Sequence, residues 1–313
     1  MHSNGVSKSS ARTWRIGDKV RKSIIADLPW GPKGITFLGD PHIDAPSHAR
    51  ELLLQDLDDA KERGDMIVVM GDVWSMILPG DLKRFTSGRH GEQTDSIINK
   101  RIDEAELLFK PYVDNIDVML CGNHETAVIK HHHVDPLAML IERLNRHKTS
   151  GTLADSRIAY GGYTCWLKVA FRRGKMSHNK PASGGAYNVV WLHHGRGGGA
   201  PVTKGMIDAN RVQVSNVADL YVMGHKHTAI TDKSRYTYMT PKGNILTRQR
   251  DFIIVGGYSG DDVGDGEHEG GYTLDYSDEQ FYHNEAQGSA RVVFIPVQSR
   301  GGAYIRRRVE TFS

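Results

Sequence analysis

Cysteine is scarce in this sequence, which has only Cys121 and Cys165 among its 313 residues. Two thiols cannot form the disulfide framework of a small secreted domain, and they cannot supply a four-cysteine zinc site. We therefore expect both cysteines to be reduced and buried in or beside strands, which is typical of cytoplasmic proteins.

Long apolar runs and a large excess of charge of one sign are also missing. No run reaches the roughly 20 apolar residues that a membrane-spanning helix needs, and no apolar segment follows the basic N-terminal residues as in a secretory signal. The formal net charge of +3 is too mild to indicate nucleic-acid binding by itself. These absences predict a cytoplasmic protein without membrane contact.

The apolar residues that are present include five short runs, each followed by a polar residue that can bind a metal ion. Such runs, rich in Val, Ile and Leu and bounded by Gly or Asp, are typical of buried strands. Helical patterns follow the first three runs, and the first of these helices has Ser47 as a candidate N-cap and Gly64 as a candidate C-cap. Alternating strands and helices predict an α/β fold. The runs end at Asp40, Asp72, Asn123–His124, His193 and His225.

These strand ends would bring together carboxylate, amide and imidazole donors. Ligands of open α/β sheets gather outside the carboxyl ends of the strands, so side chains from separate strands can meet there. The donor set has no thiolate; this argues against iron–sulfur clusters and suits Mn, Fe, Zn, Co or Ni. The donors are too many for one ion, and their number matches two ions about 3.5–4 Å apart that share a carboxylate.

Two of the donors, His225 and His227, are spaced two residues apart in the sequence GHKH. In an extended chain, residues i and i+2 face the same side. The two imidazoles could therefore bind one ion together, or each could bind a different ion. The spacing alone leaves both alternatives open.

The motifs and their order resemble the calcineurin-like metallophosphoesterase family. In chain order they are GDPH, with Asp40 and His42, then GD, with Asp72, then GNHE, LHHG and GHKH. The resemblance extends over residues 40–227. It implies a four-layer α/β/β/α sandwich with the metal site at the carboxyl ends of the strands.

The same resemblance suggests how the chain is divided. We expect residues 1–33 to form a basic N-terminal extension and residues 34–313 to form a single metallophosphoesterase domain. Within that domain we expect a Gly-rich loop over residues 256–288, followed by closing strands at the C-terminal end.

The resemblance also implies a role for each site residue. Asp72 would bridge two divalent ions, and His124 would stabilise or protonate the leaving-group oxygen while a hydroxide shared by the ions attacks phosphorus. Mn²⁺ is the first candidate for both ions, with Fe, Zn, Ni and Co as alternatives. The remaining ligands implied for the two ions are Asp40, His42 and His227 for one, and Asn123, His193 and His225 for the other.

The adjacent histidines His193 and His194 are alternatives for one ligand position. His193 directly continues the apolar run that begins at Val189, which favours it as the ligand. His194 is then a candidate for contact with the substrate. Arg196 is a second such candidate, because it lies in a Gly-rich stretch whose backbone N–H groups can approach an anion; a loop without phosphate contact is the alternative.

Two acidic residues beside the motifs are expected to have supporting roles. Asp44 is expected at a helix start rather than on a metal. Glu125 is expected to accept a hydrogen bond behind the ligands, or to act as a favourable charge at a helix N-terminus.

The sequence departs from the protein Ser/Thr phosphatase branch of the family. That branch has a DRG element after the GD motif and an arginine before GNHE, whereas Cys121 precedes GNHE here. The missing arginines argue against protein phosphatase activity and favour a two-metal phosphodiesterase acting on DNA, another nucleic acid or a nucleotide. The alternatives are a small-molecule phosphomonoesterase on the same site and a non-catalytic metal-binding scaffold.

Overall fold

A computed structural model describes residues 11–16, 19–45, 47–78, 96–173, 185–197, 205–259, 288–299 and 302–311. Most of the Gly-rich loop expected at 256–288 therefore lies outside the described residues. None of the helices in the described ranges has the length and apolar character needed to cross a membrane. The helices are α1 (Arg50–Glu62), α2 (Ile97–Phe109), α3 (Asn123–His132), α4 (Pro136–Asn145) and α5 (Met206–Ser215).

The strands of the described residues form two sheets, of seven and six strands. The first seven strands are β1 (Ala11–Ile16), β2 (Lys19–Pro29), β3 (Lys33–Leu38), β4 (Met66–Val69), β5 (Ile116–Leu120), β6 (Ala159–Gly162) and β7 (Thr164–Arg172). The remaining six are β8 (Gly185–His193), β9 (Leu220–Met223), β10 (Ile230–Met239), β11 (Ile245–Ile254), β12 (Ala290–Ser299) and β13 (Gly302–Thr311).

Parallel strands occupy the middle of both sheets. The six-stranded sheet has the order β13-β12-β3-β4-β5-β6, and β3 to β6 run parallel in it. The seven-stranded sheet has the order β1-β2-β7-β8-β9-β11-β10, and β8, β9 and β11 run parallel in it. The carboxyl ends of neighbouring parallel strands therefore lie together at one edge of each sheet.

The two sheets pack face to face, and helices cover their outer faces. Side chains alternate along each strand: Val68 of β4 belongs to the core between the sheets, whereas Ile67 and Val69 pack against α1, α2 and α4. On the other side, Ala209 of α5 packs with Trp191 of β8. The order of layers is helix, sheet, sheet, helix, which confirms the expected four-layer α/β/β/α sandwich.

Strand β2 lies within the seven-stranded sheet, in place of the separate extension expected over residues 1–33. It pairs parallel with β7, and Ile24, Ala26 and Leu28 are buried in the core between the sheets. Asp27 of β2 accepts hydrogen bonds from Arg172 of β7 at 3.1 and 2.7 Å. Alternating apolar residues at 24, 26 and 28 thus make this segment part of the core.

Helix α1 begins at Arg50, so the expectation that Ser47 is its N-cap is wrong. The N-cap residue is Ala49, whose N–H donates to the carbonyl oxygen of Tyr258 at 2.6 Å. His48 forms an isolated antiparallel bridge with Ser259. The residues before α1 are held by the segment that follows β11, which delays the first helical turn.

A buried carboxylate connects β12 to the start of β4. Asp65, which precedes β4, accepts hydrogen bonds from Arg291 Nε at 2.5 Å and Nη2 at 3.0 Å. It also accepts one from the Thr36 hydroxyl of β3 at 3.1 Å. Arg291 also pairs with Glu310 of β13, so these contacts join strands from both ends of the domain.

We predict that Asp65→Ala lowers the free energy of unfolding by about 3 kcal/mol, because it removes two hydrogen bonds from the mostly buried Arg291 guanidinium and leaves it with Glu310 alone. Urea unfolding measures the change. Asp59→Ala is the control, since Asp59 pairs with Arg63 on the surface and its loss should cost less than about 1 kcal/mol. Equal losses in the two variants would contradict the prediction.

Candidate metal centre

The donor residues come from the carboxyl ends of five strands in the two sheets. In the six-stranded sheet, polar residues follow β3, β4 and β5; in the seven-stranded sheet, they follow β8 and β9. Since the sheets pack face to face, these ends meet at one rim. The residues so placed are Asp40 and His42 after β3, Asp72 after β4, Asn123 after β5, His193 and His194 at the end of β8, and His225 and His227 after β9.

The backbone turns sharply at four of these residues. His42, Asp72, His225 and His227 have φ values of 45°, 48°, 70° and 50°. The left-handed region costs a residue with a Cβ roughly 1–2 kcal/mol. Four such residues at one rim show that the surrounding sheets impose this conformation and turn the side chains toward a common point.

Two groups of donor atoms form at this rim, and Asp72 belongs to both. One group consists of His42, Asp72 and His124, and the other of Asp72, His194 and His225. In each group the candidate ligand atoms lie within 4.8 Å of one another. A carboxylate common to two groups has the position of a bridging ligand.

His194 lies in this cluster, with Asn123. Its Nε2 is 3.0 Å from Asn123 Oδ1 and 3.1 Å from Asp72 Oδ2. Its Nδ1 is 2.9 Å from the carbonyl oxygen of Met70, which can only accept a hydrogen bond, so Nδ1 carries the hydrogen. Nε2 is thereby directed toward the other donors.

His193, which the apolar run favoured, is directed elsewhere. Its ring stacks on Trp191, with centroids 5.0 Å apart, and its Nδ1 accepts a hydrogen bond from Gly195 N at 2.8 Å. Residues alternate across a strand, so His193 shares the α5 side with Trp191, while His194 shares the inter-sheet side with Leu192. The structure therefore brings His194 to the donor cluster in place of His193.

Asp40 is fully buried between the histidines of GHKH. Its Oδ2 accepts a hydrogen bond from the His225 backbone N–H at 2.6 Å and lies 3.9 Å from His227 Nε2. Its Oδ1 is buried without a hydrogen-bond partner among the described residues. The nearest cationic group is His194, whose Nδ1 lies 3.5 Å from this oxygen. A buried carboxylate oxygen that accepts no hydrogen bond is costly, and a metal ion at this rim would interact favourably with it.

The two histidines of GHKH face different neighbours. The His227 ring stacks on His42, with centroids 5.1 Å apart, whereas the His225 ring meets His194 edge to face at 5.2 Å. His227 Nδ1 is 3.0 Å from the Ser259 hydroxyl. The positions are those expected if each histidine contributes to a different ion.

Burial and neighbouring charges shift the pKa values of both carboxyl groups at this rim. Burial raises the pKa of Asp40 to about 7. Burial alone would raise the pKa of Asp72. The charge and hydrogen bond of the neighbouring His194 have a larger, opposite effect, so the Asp72 pKa lies below its usual range. Burial lowers the pKa of His194, and the charges of Asp72 and Asp40 more than offset this, raising it to about 9. The two carboxyl groups thus stabilise positive charge at this rim, which a metal ion would supply in place of the His194 Nε2 proton.

The imidazoles of His42, His225 and His227 are neutral at pH 7. Burial lowers the pKa of His225 and of His227 to about 4, and it lowers the pKa of His42 well below its usual value. Neutral imidazole is the form that binds a metal ion. Neutral imidazole nitrogens, the carboxylates of Asp40 and Asp72 and the amide oxygen of Asn123 fit divalent transition-metal ions.

Glu125 supports the cluster from behind, as expected. Its fully buried carboxylate accepts hydrogen bonds from the backbone N–H groups of Asp72 at 3.1 Å, Val73 at 2.7 Å and Gly122 at 2.7 Å. It therefore joins the turn after β4 to the start of α3. Gly122 is required at this approach, because a Cβ there would lie 2.0 Å from Asp72 Oδ1.

Ser75 orients two site histidines, and sequence reasoning missed it. Its hydroxyl is 3.0 Å from His42 Nδ1, and its carbonyl oxygen is 2.6 Å from His124 Nδ1. Asp44 accepts hydrogen bonds from the N–H groups of Ser75 at 2.5 Å and Met76 at 3.0 Å. Asp44 thus holds this segment instead of starting a helix. Its partners lie more than 30 residues away, so no local pattern indicates these contacts.

The Gly-rich stretch after His194 is described as far as Gly197. A Cβ at Gly195 would lie 2.5 Å from the His225 Cβ, so glycine is required there. Lys226, between the two GHKH histidines, donates to the Gly197 carbonyl at 2.9 Å. Arg196 is exposed beside these residues, and its contact with substrate stays a prediction.

Comparison with protein families gives one match. The model of the calcineurin-like phosphoesterase family matches residues 34–229, a range that contains every donor residue described above. No curated protein matches the chain.

We predict that His194→Ala loses one of two bound divalent ions, whereas His193→Ala keeps both. Removal of a direct ligand should weaken Mn²⁺ binding by more than the ~10–100-fold that follows removal of a supporting residue. Elemental analysis gives the stoichiometry and titration calorimetry the affinity. Thermal unfolding in EDTA shows whether each variant folds. Loss of an ion from His193→Ala alone would reverse the assignment.

Proposed function

The chain belongs to the calcineurin-like phosphoesterase family, and from this premise we propose that it is a two-metal phosphodiesterase. Family membership and the two donor groups around Asp72 support a metal-dependent phosphoesterase. The preference for diesters, the substrate class and the identity of the ions are our proposals. The observation that carries the proposal is the shared position of Asp72, which lies in both donor groups.

We assign the ligands from the contacts of each side chain. Asp72 would contact both ions, because it belongs to both donor groups, and His194 would take the ligand position first given to His193. When bound, two divalent ions lower the pKa of a coordinated water and offset the charge of the phosphate. Mn²⁺ is the proposed ion, with Fe, Zn, Ni and Co as alternatives that the same oxygen and nitrogen donors accept. The other assigned ligands are Asp40, His42 and His227 for one ion, and Asn123 and His225 for the other.

His124 is the proposed proton donor to the leaving group. Its backbone N–H donates to Asp72 Oδ1 at 2.9 Å, which fixes the residue beside the bridging carboxylate. Its Nδ1 hydrogen is held by the Ser75 carbonyl, so Nε2 is the nitrogen available to the substrate. As an oxygen from water attacks phosphorus and the P–O bond to the leaving group breaks, Nε2 gives its proton to the departing oxygen, and the proton that the water loses restores Nε2 for the next turnover.

The surroundings of GNHE support a diester rather than a monoester. Cys121 occupies the position where the protein Ser/Thr phosphatase branch has an arginine. It is buried, with its Sγ 3.5 Å from the Thr126 hydroxyl. A diester carries less negative charge than a monoester and needs fewer cationic side chains. DNA, another nucleic acid or a nucleotide is the proposed substrate. The two buried free cysteines are consistent with the proposed cytoplasmic location.

The proposed activity is tested with two chromogenic substrates. We expect the Mn²⁺-loaded protein to hydrolyse bis-p-nitrophenyl phosphate faster than p-nitrophenyl phosphate, with activity lost in EDTA and restored by metal. The same comparison with Fe, Zn, Ni and Co tests the choice of ion. A preference for the monoester would favour the phosphomonoesterase alternative. Inactivity on both substrates in a protein with two bound ions would favour a non-catalytic scaffold.

We predict that His124→Ala lowers kcat for bis-p-nitrophenyl phosphate by about 10²–10⁴-fold with two ions still bound, because a proton donor is lost but no ligand is. Elemental analysis accompanies the kinetics. His131→Ala, an exposed histidine on the same helix, is the control and should be fully active. Loss of an ion from His124→Ala would instead identify His124 as a ligand.

A further inference from the structure

The outer half of the β10–β11 hairpin projects beyond the seven-stranded sheet. β11 pairs with β9 over its final four residues, and its preceding residues pair with β10, from Arg250 opposite Ser234 to Ile245 opposite Met239. We call this paired segment, residues 234–239 and 245–250, the ribbon. An isolated two-stranded hairpin is marginally stable in water, so the ribbon is a candidate for contact with a partner.

Between Asp232 and Asp251, the ribbon and the turn that joins its strands carry charge of one sign. Residues 233–250 contain five basic and no acidic side chains, whereas the whole chain has a formal net charge of only +3. Such a local concentration attracts a polyanion and binds phosphate groups. The basic residues are Lys233, Arg235, Lys242, Arg248 and Arg250.

One face of the ribbon combines two tyrosines with two of these arginines. The rings of Tyr236 and Tyr238 stack with centroids 5.6 Å apart. The guanidinium carbon of Arg250 lies 3.8 Å from the Tyr236 centroid, and that of Arg248 lies 5.3 Å from the Tyr238 centroid. Aromatic rings and planar guanidinium groups both stack on nucleic-acid bases.

The opposite face adds charge, hydroxyl groups and apolar surface. Arg235 is exposed on this face, and the hydroxyls of Thr237 and Thr247 lie 3.0 Å apart across the strands. Met239 and Ile245, paired at the tip, are each 72% exposed. A nucleic-acid strand can contact all three kinds of group through its phosphates, sugars and bases.

Both strands of the hairpin lead to the metal centre. β10 begins at Ile230, three residues after His227, and β11 ends at Ile254, five residues before Ser259. Ser259 contacts His227. With a rise of about 3.3 Å per residue, the tip of the ribbon lies roughly 30 Å along the strands from the centre. A strand held on the ribbon would therefore extend toward the reacting phosphate.

We propose that the ribbon binds single-stranded nucleic acid and guides it to the metal centre; the second part rests on the proposed phosphodiesterase function. Stacked tyrosines favour the binding of single-stranded over double-stranded nucleic acid. The bases of a single strand are available to stack on aromatic rings, whereas those of a duplex are stacked on one another. The exposed basic side chains Lys233, Arg235, Lys242 and Arg248 supply the contacts to phosphate.

The binding experiment uses fluorescein-labelled oligothymidylate in EDTA, where no hydrolysis occurs, and measures fluorescence anisotropy over a range of NaCl concentrations. We expect Tyr236→Ala and Tyr238→Ala each to weaken binding about tenfold. Arg235→Gln and Arg248→Gln should each lower the slope of log K against log salt by about 0.7. Tyr304→Ala and Arg146→Gln, at exposed positions on other elements, are the controls and should bind normally.

Several results would overturn the ribbon proposal. Binding that the four ribbon variants leave unchanged would do so, and so would tighter binding of a duplex of the same length. Ribbon-dependent self-association in light scattering, without affinity for DNA, would assign the ribbon to a second copy of the chain. Thermal unfolding of each variant verifies that the comparison is between folded proteins.

A second measurement separates this proposal from the proposed function. The ribbon variants should hydrolyse bis-p-nitrophenyl phosphate at the normal rate, because that substrate reaches only the metal centre, while their KM for single-stranded DNA rises about tenfold. Hydrolysis of the small diester without DNA binding would overturn the ribbon proposal alone. Ribbon-dependent DNA binding without hydrolysis of any diester would overturn the proposed function alone.

Discussion

The buried carboxylate of Glu125 is the contact on which the metal centre depends. It receives N–H groups from Asp72 and Val73, after β4, and from Gly122, before α3. These segments are about fifty residues apart in sequence. The first contains Asp72 and the second is followed by His124, and both side chains must face the candidate metal centre. Three backbone N–H groups donate to this one buried carboxyl group, so Glu125 fixes the distance between Asp72 and His124.

The rim maintains a conformation that isolated segments would avoid. Left-handed backbone at His42, Asp72, His225 and His227 is unfavourable for each residue. The parallel strands before these turns are buried on both faces. The favourable free energy of packing them offsets the cost of the left-handed residues. The same rigid frame places Asp40 Oδ1 in the interior without a partner among the described residues. A cation at the rim would therefore relieve a cost already present in the fold.

Much of this arrangement could be predicted from local patterns. Buried strands and their polar ends follow from short apolar runs, whereas the four-layer sandwich was implied by the resemblance of the ordered motifs to the family. The start of α1 could not be predicted, because Ala49 binds Tyr258, about two hundred residues away. Strand β2 was placed outside the domain because its basic neighbours suggested a tail, whereas its contacts with β7 place it in the sheet.

The sequence by itself determined which donor types stand at the strand ends, since strand length, turn residues and histidine spacing are local properties. Only the tertiary structure decided which of His193 and His194 lies beside Asp72. The run Val189–Leu192 is apolar at every position, so it does not indicate which face of β8 is inside. Packing of the two sheets sets that face and turns His194 to Asp72. Packing likewise decided that Ser75 and Asp44 orient the histidines, because these contacts join turns that meet only when the sheets close.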